Sequence, residues 1–109
     1  VIEICSGDLA MWKSKSADIE VWRPTTQEYG EVVSLSNCTD FQARGLNTKV
    51  VRKNGEREVL HTLNNTALAT SRAMVAIIEH YQNEDGSITV PKVLHPYMHG
   101  ITVIKGKKK

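Results

Sequence analysis

Cysteine is scarce: Cys5 and Cys38 are the only two. Two thiols cannot build a disulfide framework, and they lack the CxxC spacing of a metal site. They read as reduced thiols of an intracellular protein. Aromatic residues are just 6% of the chain, and the excess of Lys+Arg (14) over Asp+Glu (12) leaves a formal charge of only +2. That balance argues against a general nucleic-acid coat or a strongly basic membrane binder. No apolar run approaches the ~18 residues of a membrane span, so no membrane association is expected. The opening VIEICSGDLAMWK carries Glu3 early and lacks a basic leader, so it does not read as a signal peptide. Absent too are GxSxG, a Walker loop and GxGxxG. The four histidines form no metal constellation. His95 and His99 have i,i+4 spacing, but Pro96 between them spoils a regular helix.

What is present suits one small globular domain. The chain has 109 residues, 40% of them hydrophobic, which is too apolar for wholesale disorder. A domain of this size buries only about two-thirds of its unfolded surface, so a partner surface would help it. The one biased stretch, residues 105–109 (KGKKK), reads as a solvated basic tail.

The first half is strand-like. Residues 1–5, 18–22 (DIEVW) and 29–36 (YGEVVSLS) fit strands, with Pro24 stopping the second. Residues 13–17 read as loop. Residues 48–52 and 58–63 predict a hairpin around Lys53-Asn54-Gly55-Glu56, where Asn54-Gly55 supplies the positive φ angles of a tight turn. One long helix is predicted from Ala67 to about Asn83, capped by Asn64, Asn65 or Thr66 and ended by Asp85-Gly86. Residues 88–90 read as a short strand, and Pro91 opens a last helical turn or two. Strands followed by a helix, without βαβ alternation, predict an α+β fold: an antiparallel sheet with flanking helices.

Three features break the pattern. Arg72 has Leu68, Ala69, Val75 and Ala76 beside it, with Ala67, Met74, Ile77 and Tyr81 opposite, which predicts a helix buried on more than one face. A guanidinium there cannot discharge and needs an anion, whether a ligand or an ion pair such as Glu79, unless it snorkels to the surface. Glu31 shares a strand face with Tyr29, Val33 and Leu35. It calls for a cation, metal or polar ligand, or it guards a sheet edge against stacking. Asn64, Asn65 and Thr66 stand where strand gives way to helix, a place for capping or for a small polar ligand.

These residues sit in strings that closely resemble one family. The strings are SGDL (6–9), DIEVW (18–22), GEVVSLSNCTDFQARGLN (30–47), HTLNNTALATSR (61–72) and EHYQNEDGSITVPKVLHPYM (79–98). In order and spacing they resemble the C-terminal part of the catalytic domain of seryl-tRNA synthetase, a class II aminoacyl-tRNA synthetase. The resemblance implies residues 1–104 as that part of the catalytic domain, from motif 2 exit to motif 3, with 105–109 as tail. It implies activation of serine with ATP to seryl-adenylate and pyrophosphate, then transfer to tRNA(Ser). It implies that Glu31, Val32, Val33 and Ser34 bind ATP, with Glu31 and Ser34 holding the Mg²⁺ that bridges its phosphates. Strict alternation puts Glu31 and Ser34 on opposite faces, so a bulge or bend is expected there. Arg72 matches the motif 3 arginine that binds the γ-phosphate, and with Glu31 forms the implied catalytic pair. Asn64 and Thr66 match positions lining the serine pocket.

Other matches read as structural: residues 41–44 pack and orient the site strand, with Arg44 an ion-pair partner. Gly45 stands where many relatives carry a second arginine, and Asn65 and Ser71 replace glycines. The motif 2 arginine for the α-phosphate, the glutamate for the serine ammonium, motif 1 with its dimer contact and the tRNA-reading arm have no counterpart here. The expectation is therefore a fragment of a full synthetase, inactive alone, self-associating or poorly soluble, from a homodimer of the cytoplasm or mitochondrial matrix. tRNA(Ser) would be bound mainly by regions outside these residues. The competing reading is a truncated, non-catalytic paralogue that binds a nucleotide or a protein.

Overall fold

A computed structural model describes residues 1–106. The chain divides into two compact units: Val1–Glu20 with Glu31–Ala69, and Val21–Gly30 with the segment from Thr70 onward.

The first unit is built on an antiparallel sheet. Its strands are β1 (Ile2–Glu3), β2 (Lys15–Arg23), β3 (Glu28–Thr39) and a later strand, Thr62–Asn65. β2 runs on into the second unit at residues 21–23, and β3 begins there at residues 28–30. Residues 15–17, expected as loop, are strand. Ser16 forms sheet because its polar groups find partners: its carbonyl accepts from the Ile4 amide at 2.9 Å and its hydroxyl donates to the Leu35 carbonyl at 2.8 Å. Pairing of a small polar residue across a sheet is a tertiary gain that local pattern does not register.

After β3 comes the short helix α1 (Phe41–Gly45), which buries Ala43. Arg44 pairs with Asp40 at 2.7 Å, the ion pair expected of it. The hairpin forms as β4 (Lys49–Val51) and β5 (Arg57–Val59), with Val50 opposite Glu58 and Gly55 at φ +86°. The predicted second strand is split, however. Residues 60–61 leave the hairpin, and β6 (Thr62–Asn65) pairs with β3 instead. The sheet order is β1-β2-β3-β6.

The second unit carries α2 (Thr70–Tyr81), β7 (Ile88–Thr89), a 3-10 helix (Lys92–Met98) and β8 (Val103–Ile104), which pairs with β7. The helix is shorter than the predicted 67–83. Its single fully buried residue is Ala76, flanked by half-buried Ala73 and Ile77. That is a one-sided stripe at i, i+3, i+4. The expectation of a helix buried on several faces is therefore corrected. Met74, Val75, Ile78 and Tyr81 are exposed, and so is Arg72. Near this helix's end, Thr25 donates its amide to Glu79 at 3.2 Å, and a His80 ring nitrogen lies 2.7 Å from the Trp22 carbonyl oxygen. Trp22 meets Tyr29 edge-on at 5.2 Å, a packing contact. Of the basic tail, Lys105 and Gly106 are described; residues 107–109 lie outside the described residues.

Candidate functional site

Of the five polar site residues that the resemblance implies, four belong to the first unit. Glu31 and Ser34 lie on β3, half-buried. Asn64 lies on β6 and Thr66 just beyond it, both exposed. Val33 is buried in the strand between the first two.

The backbone brings these two segments together. The Thr66 amide donates to the Ser34 carbonyl at 3.2 Å, and the Ala69 amide donates to the Val32 carbonyl at 2.8 Å. The junction between β6 and α2 is thus laced along β3. Its Thr66 and Ala69 amides are spent on the strand, and the helix begins at Thr70. Asn64 and Asn65 are strand residues, not helix caps. Asn65 instead turns its side-chain oxygen onto the Ala67 amide, holding Ala67 at φ +59°. A short polar side chain bonding two residues on is an Asx turn. The register shift of the β3–β6 pairing falls between Asn37 and Thr39, beyond the Glu31–Ser34 interval where the resemblance required a bulge.

Arg72 belongs to the second unit, in the first turn of α2. The reading of it as a guanidinium buried among apolar residues is corrected, since it is exposed. The physical reason is the one-sided burial of the helix: position 72 lies beside the Ala73–Ala76–Ile77 stripe and not within it. An exposed guanidinium in a first helical turn presents a planar fork of N–H donors whose geometry suits an oxyanion.

Two grooves open in the first unit. One, of about 460 Å³, crosses the sheet past Lys15, Ser16, Ser36, Leu63, Asn64 and Asn65. The Lys15 ammonium is raised above the ordinary lysine value, first by its hydrogen bond to Glu3 at 2.8 Å and then by that carboxylate's charge. The other groove, of about 530 Å³, lies between Trp12, Phe41, Gln42, Gly45, Leu46 and Asn64. Asn64 lines both. A β-carbon placed on Gly45 would meet nothing within 4 Å, so the missing side chain leaves that groove wider.

Among the described residues no group of three or more His, Cys, Asp or Glu could hold a metal ion. Glu31 and Ser34 offer a carboxylate and a hydroxyl, both hard oxygen donors. Two such ligands suit Mg²⁺, which keeps waters and substrate phosphates in its shell and does not demand an all-protein cage. The donor types suit that ion and not a soft one; for both to reach one ion, β3 must depart from strict alternation between residues 31 and 34.

Sequence reasoning missed Ser16 and Ser36, both almost fully buried yet hydroxyl-bearing. The only available signal was their polarity within an otherwise strand-like pattern. No described helix is long and apolar enough to cross a membrane.

Comparison with known proteins places this geometry. Residues 1–81 match the model of the tRNA synthetase class II core domain (G, H, P, S and T). Serine–tRNA ligase of Dictyoglomus thermophilum is 56% identical over 108 residues, covering 99% of this chain and 25% of the relative. That of Macrococcus caseolyticus is 53% identical over 105 residues, covering 95% and 25%. The chain thus spans about a quarter of the length of the curated relatives it matches. Among solved structures, seryl-tRNA synthetase from Pyrococcus horikoshii complexed with ATP superposes with a TM-score of 0.88 at 48% identity, over 97% of this chain and 24% of that one. Cytoplasmic serine–tRNA ligase from Naegleria fowleri in complex with AMP gives 0.83 at 46%, over 97% and 22%. The α+β, antiparallel-sheet expectation is borne out by these superpositions. The chain belongs to the family of class II tRNA synthetase core domains, and the relatives it matches are seryl enzymes.

Proposed function

We propose that this chain forms part of the active site of a serine–tRNA ligase, which activates serine with ATP and passes the seryl group to tRNA(Ser). In the first step a serine carboxylate oxygen attacks the α-phosphorus of ATP, and pyrophosphate leaves. In the second, a hydroxyl of the terminal adenosine of tRNA attacks the seryl carbonyl, and AMP leaves. The observation that carries the reading is the lacing of Thr66 to Ser34 and of Ala69 to Val32. It sets the residues proposed for serine beside those proposed for the triphosphate and its metal. ATP and AMP in the two structural relatives support the nucleotide half.

Asn64 presents both a donor and an acceptor, and Thr66 a hydroxyl, to serine's polar groups. A site built to pair a substrate hydroxyl rejects the analogue that lacks it, because its own polar groups are left unpaired. Glu31 and Ser34 hold Mg²⁺, with Val32 and Val33 as the adjoining nucleotide-binding strand. Bound there, the ion would screen the triphosphate as charge develops on the leaving pyrophosphate. Arg72 grips the γ-phosphate through paired, charge-assisted N–H donors. The working enzyme would be a homodimer of the cytoplasm or mitochondrial matrix.

The test is a graft: the 108 matched residues of this chain replacing the matching quarter of the Dictyoglomus thermophilum ligase. We expect serine-dependent ATP–pyrophosphate exchange within about tenfold of the parent, the scale of a 1.4 kcal/mol perturbation. Glu31→Gln and Ser34→Ala should each raise the Mg²⁺ concentration for half-maximal rate. A folded graft with no exchange, or two variants with unaltered Mg²⁺ dependence, defeats the proposal.

A further inference from the structure

Three strands of the first unit carry polar side chains in one row: Ser16 on β2, Ser36 on β3 and Asn64 on β6. Ser36 and Asn64 are direct partners in the antiparallel β3–β6 ladder, so their side chains leave the sheet on the same side. The Ser16 and Ser36 hydroxyls are 3.1 Å apart, and both line the groove that Asn64 lines. Both serines are almost wholly shielded from water, at 2% and 6% exposure. Buried hydroxyls without apolar replacement need a reason, since each must keep its hydrogen bonds.

The direction of those bonds can be followed. The Ser16 hydroxyl donates to the Leu35 carbonyl at 2.8 Å, which commits its one proton. The Ser36 hydroxyl must therefore be the donor in the contact between the two serines. The Lys13 ammonium supplies the second bond that Ser16 accepts, at 3.4 Å. Ser16 is then saturated, with one bond given and two received. Ser36 has spent its proton toward β2, so toward β6 it offers lone pairs alone.

We propose that Ser16 and Ser36 are positioning residues that fix the orientation of the Asn64 carboxamide, and with it the enzyme's preference for serine. An acceptor-only neighbour favours the amide NH₂ turned toward Ser36. The amide oxygen is then left facing the groove, as an acceptor for a donor on the substrate. This rests on the reading of Asn64 as a serine-pocket residue.

The experiment uses the grafted ligase with Ser36→Ala, Ser16→Ala, Ser36→Thr and Asn64→Ala. For Ser36→Ala we expect a rise of about tenfold in KM for serine, the scale of one lost hydrogen bond in a specificity site, with KM for ATP unchanged. Discrimination of serine over alanine should fall in parallel. Ser36→Thr, which keeps the hydroxyl, should restore both, and Ser16→Ala should act in the same direction. If Asn64→Ala raises KM for serine and Ser36→Ala does not, the positioning role is refuted and the pocket stands. If Asn64→Ala changes nothing, the pocket reading itself fails.

A second measurement on the 109-residue chain is independent of activity. The Asn64 side-chain NH₂ resonances should be displaced from those of a free asparagine amide and should move toward the free-amide positions in Ser36→Ala. Resonances unmoved by that substitution overturn the proposal.

Discussion

The amide of Ala69 donates to the carbonyl of Val32 at 2.8 Å, three residues before Arg72 and one residue after Glu31. This bond fixes where the strand-to-helix junction ends. It spends on β3 a donor that a longer helix would have left open at its N-terminus.

Arg72→Lys in the grafted ligase should lower the rate of pyrophosphate exchange by about 10²-fold or more, since a point charge replaces a bidentate fork. Steady-state exchange against ATP concentration checks it. The 109 residues alone should show no exchange, because they lack the α-phosphate arginine that the family resemblance implies. Robust turnover from the isolated chain would contradict this.

Two positions carry the wrong residue for their backbone. Gly45 closes the helix α1, where a side chain would meet nothing within 4 Å. Gly45→Ala should therefore stabilise by roughly 0.5–1 kcal/mol through the less disordered unfolded chain. Ala67 sits at φ +59°, where an L side chain is strained. Ala67→Gly relieves a cost of about 1 kcal/mol, offset in part by glycine's own entropy. Thermal unfolding should show a higher Tm for both, with the larger gain at Gly45.

The two thiols should differ sharply in reactivity. Cys38 is fully buried and Cys5 exposed. A thiol reagent should label one equivalent quickly and the second only as the chain unfolds, about 10³-fold slower or more if opening is global. Stopped labelling with mass spectrometry assigns the site.

Acid should loosen the turn after α2. The Asp85 carboxyl is held below the ordinary aspartate value, first by the Ser87 hydroxyl at 2.6 Å and then by the Ser87 amide at 2.9 Å. A lowered folded-state value means the stabilisation is complete above the unfolded aspartate pKa. It is lost as pH falls through the folded one. An NMR titration of Asp85 should give a midpoint below that of a free aspartate, and Ser87→Ala should move it upward.

The chain should self-associate. Met74, Val75, Ile78 and Tyr81 form an exposed apolar face on α2, with Met74 59% accessible. Sedimentation should report a species heavier than 12.2 kDa. Met74→Glu with Ile78→Lys, an i,i+4 pair of favourable order, should return it to monomer.

Much of this was legible without coordinates. Gly55 announced the hairpin because glycine tolerates the positive φ found there; Asn54, expected to share it, does not. Residues 29–36 announced β3 through their branched side chains. The site residues stood out as polar groups in apolar or junction settings, and the family strings named their chemistry. Arg72 illustrates the limit. Apolar residues all around the helical wheel suggested burial, yet only one stripe of α2 is covered. A wheel counts hydrophobic positions but does not say which neighbours exist to cover them.

The sequence by itself determined the local alphabet: turn positions, strand propensity, a helix after the asparagines and the family to which they point. Tertiary structure alone decided that Ser16 belongs to a strand, that β6 abandons the hairpin for β3, and that Asn64 faces Ser36. Each of these depends on a partner far away along the chain. Local propensity is fixed by covalent geometry within a few residues, whereas pairing is fixed by which distant donors and acceptors find one another.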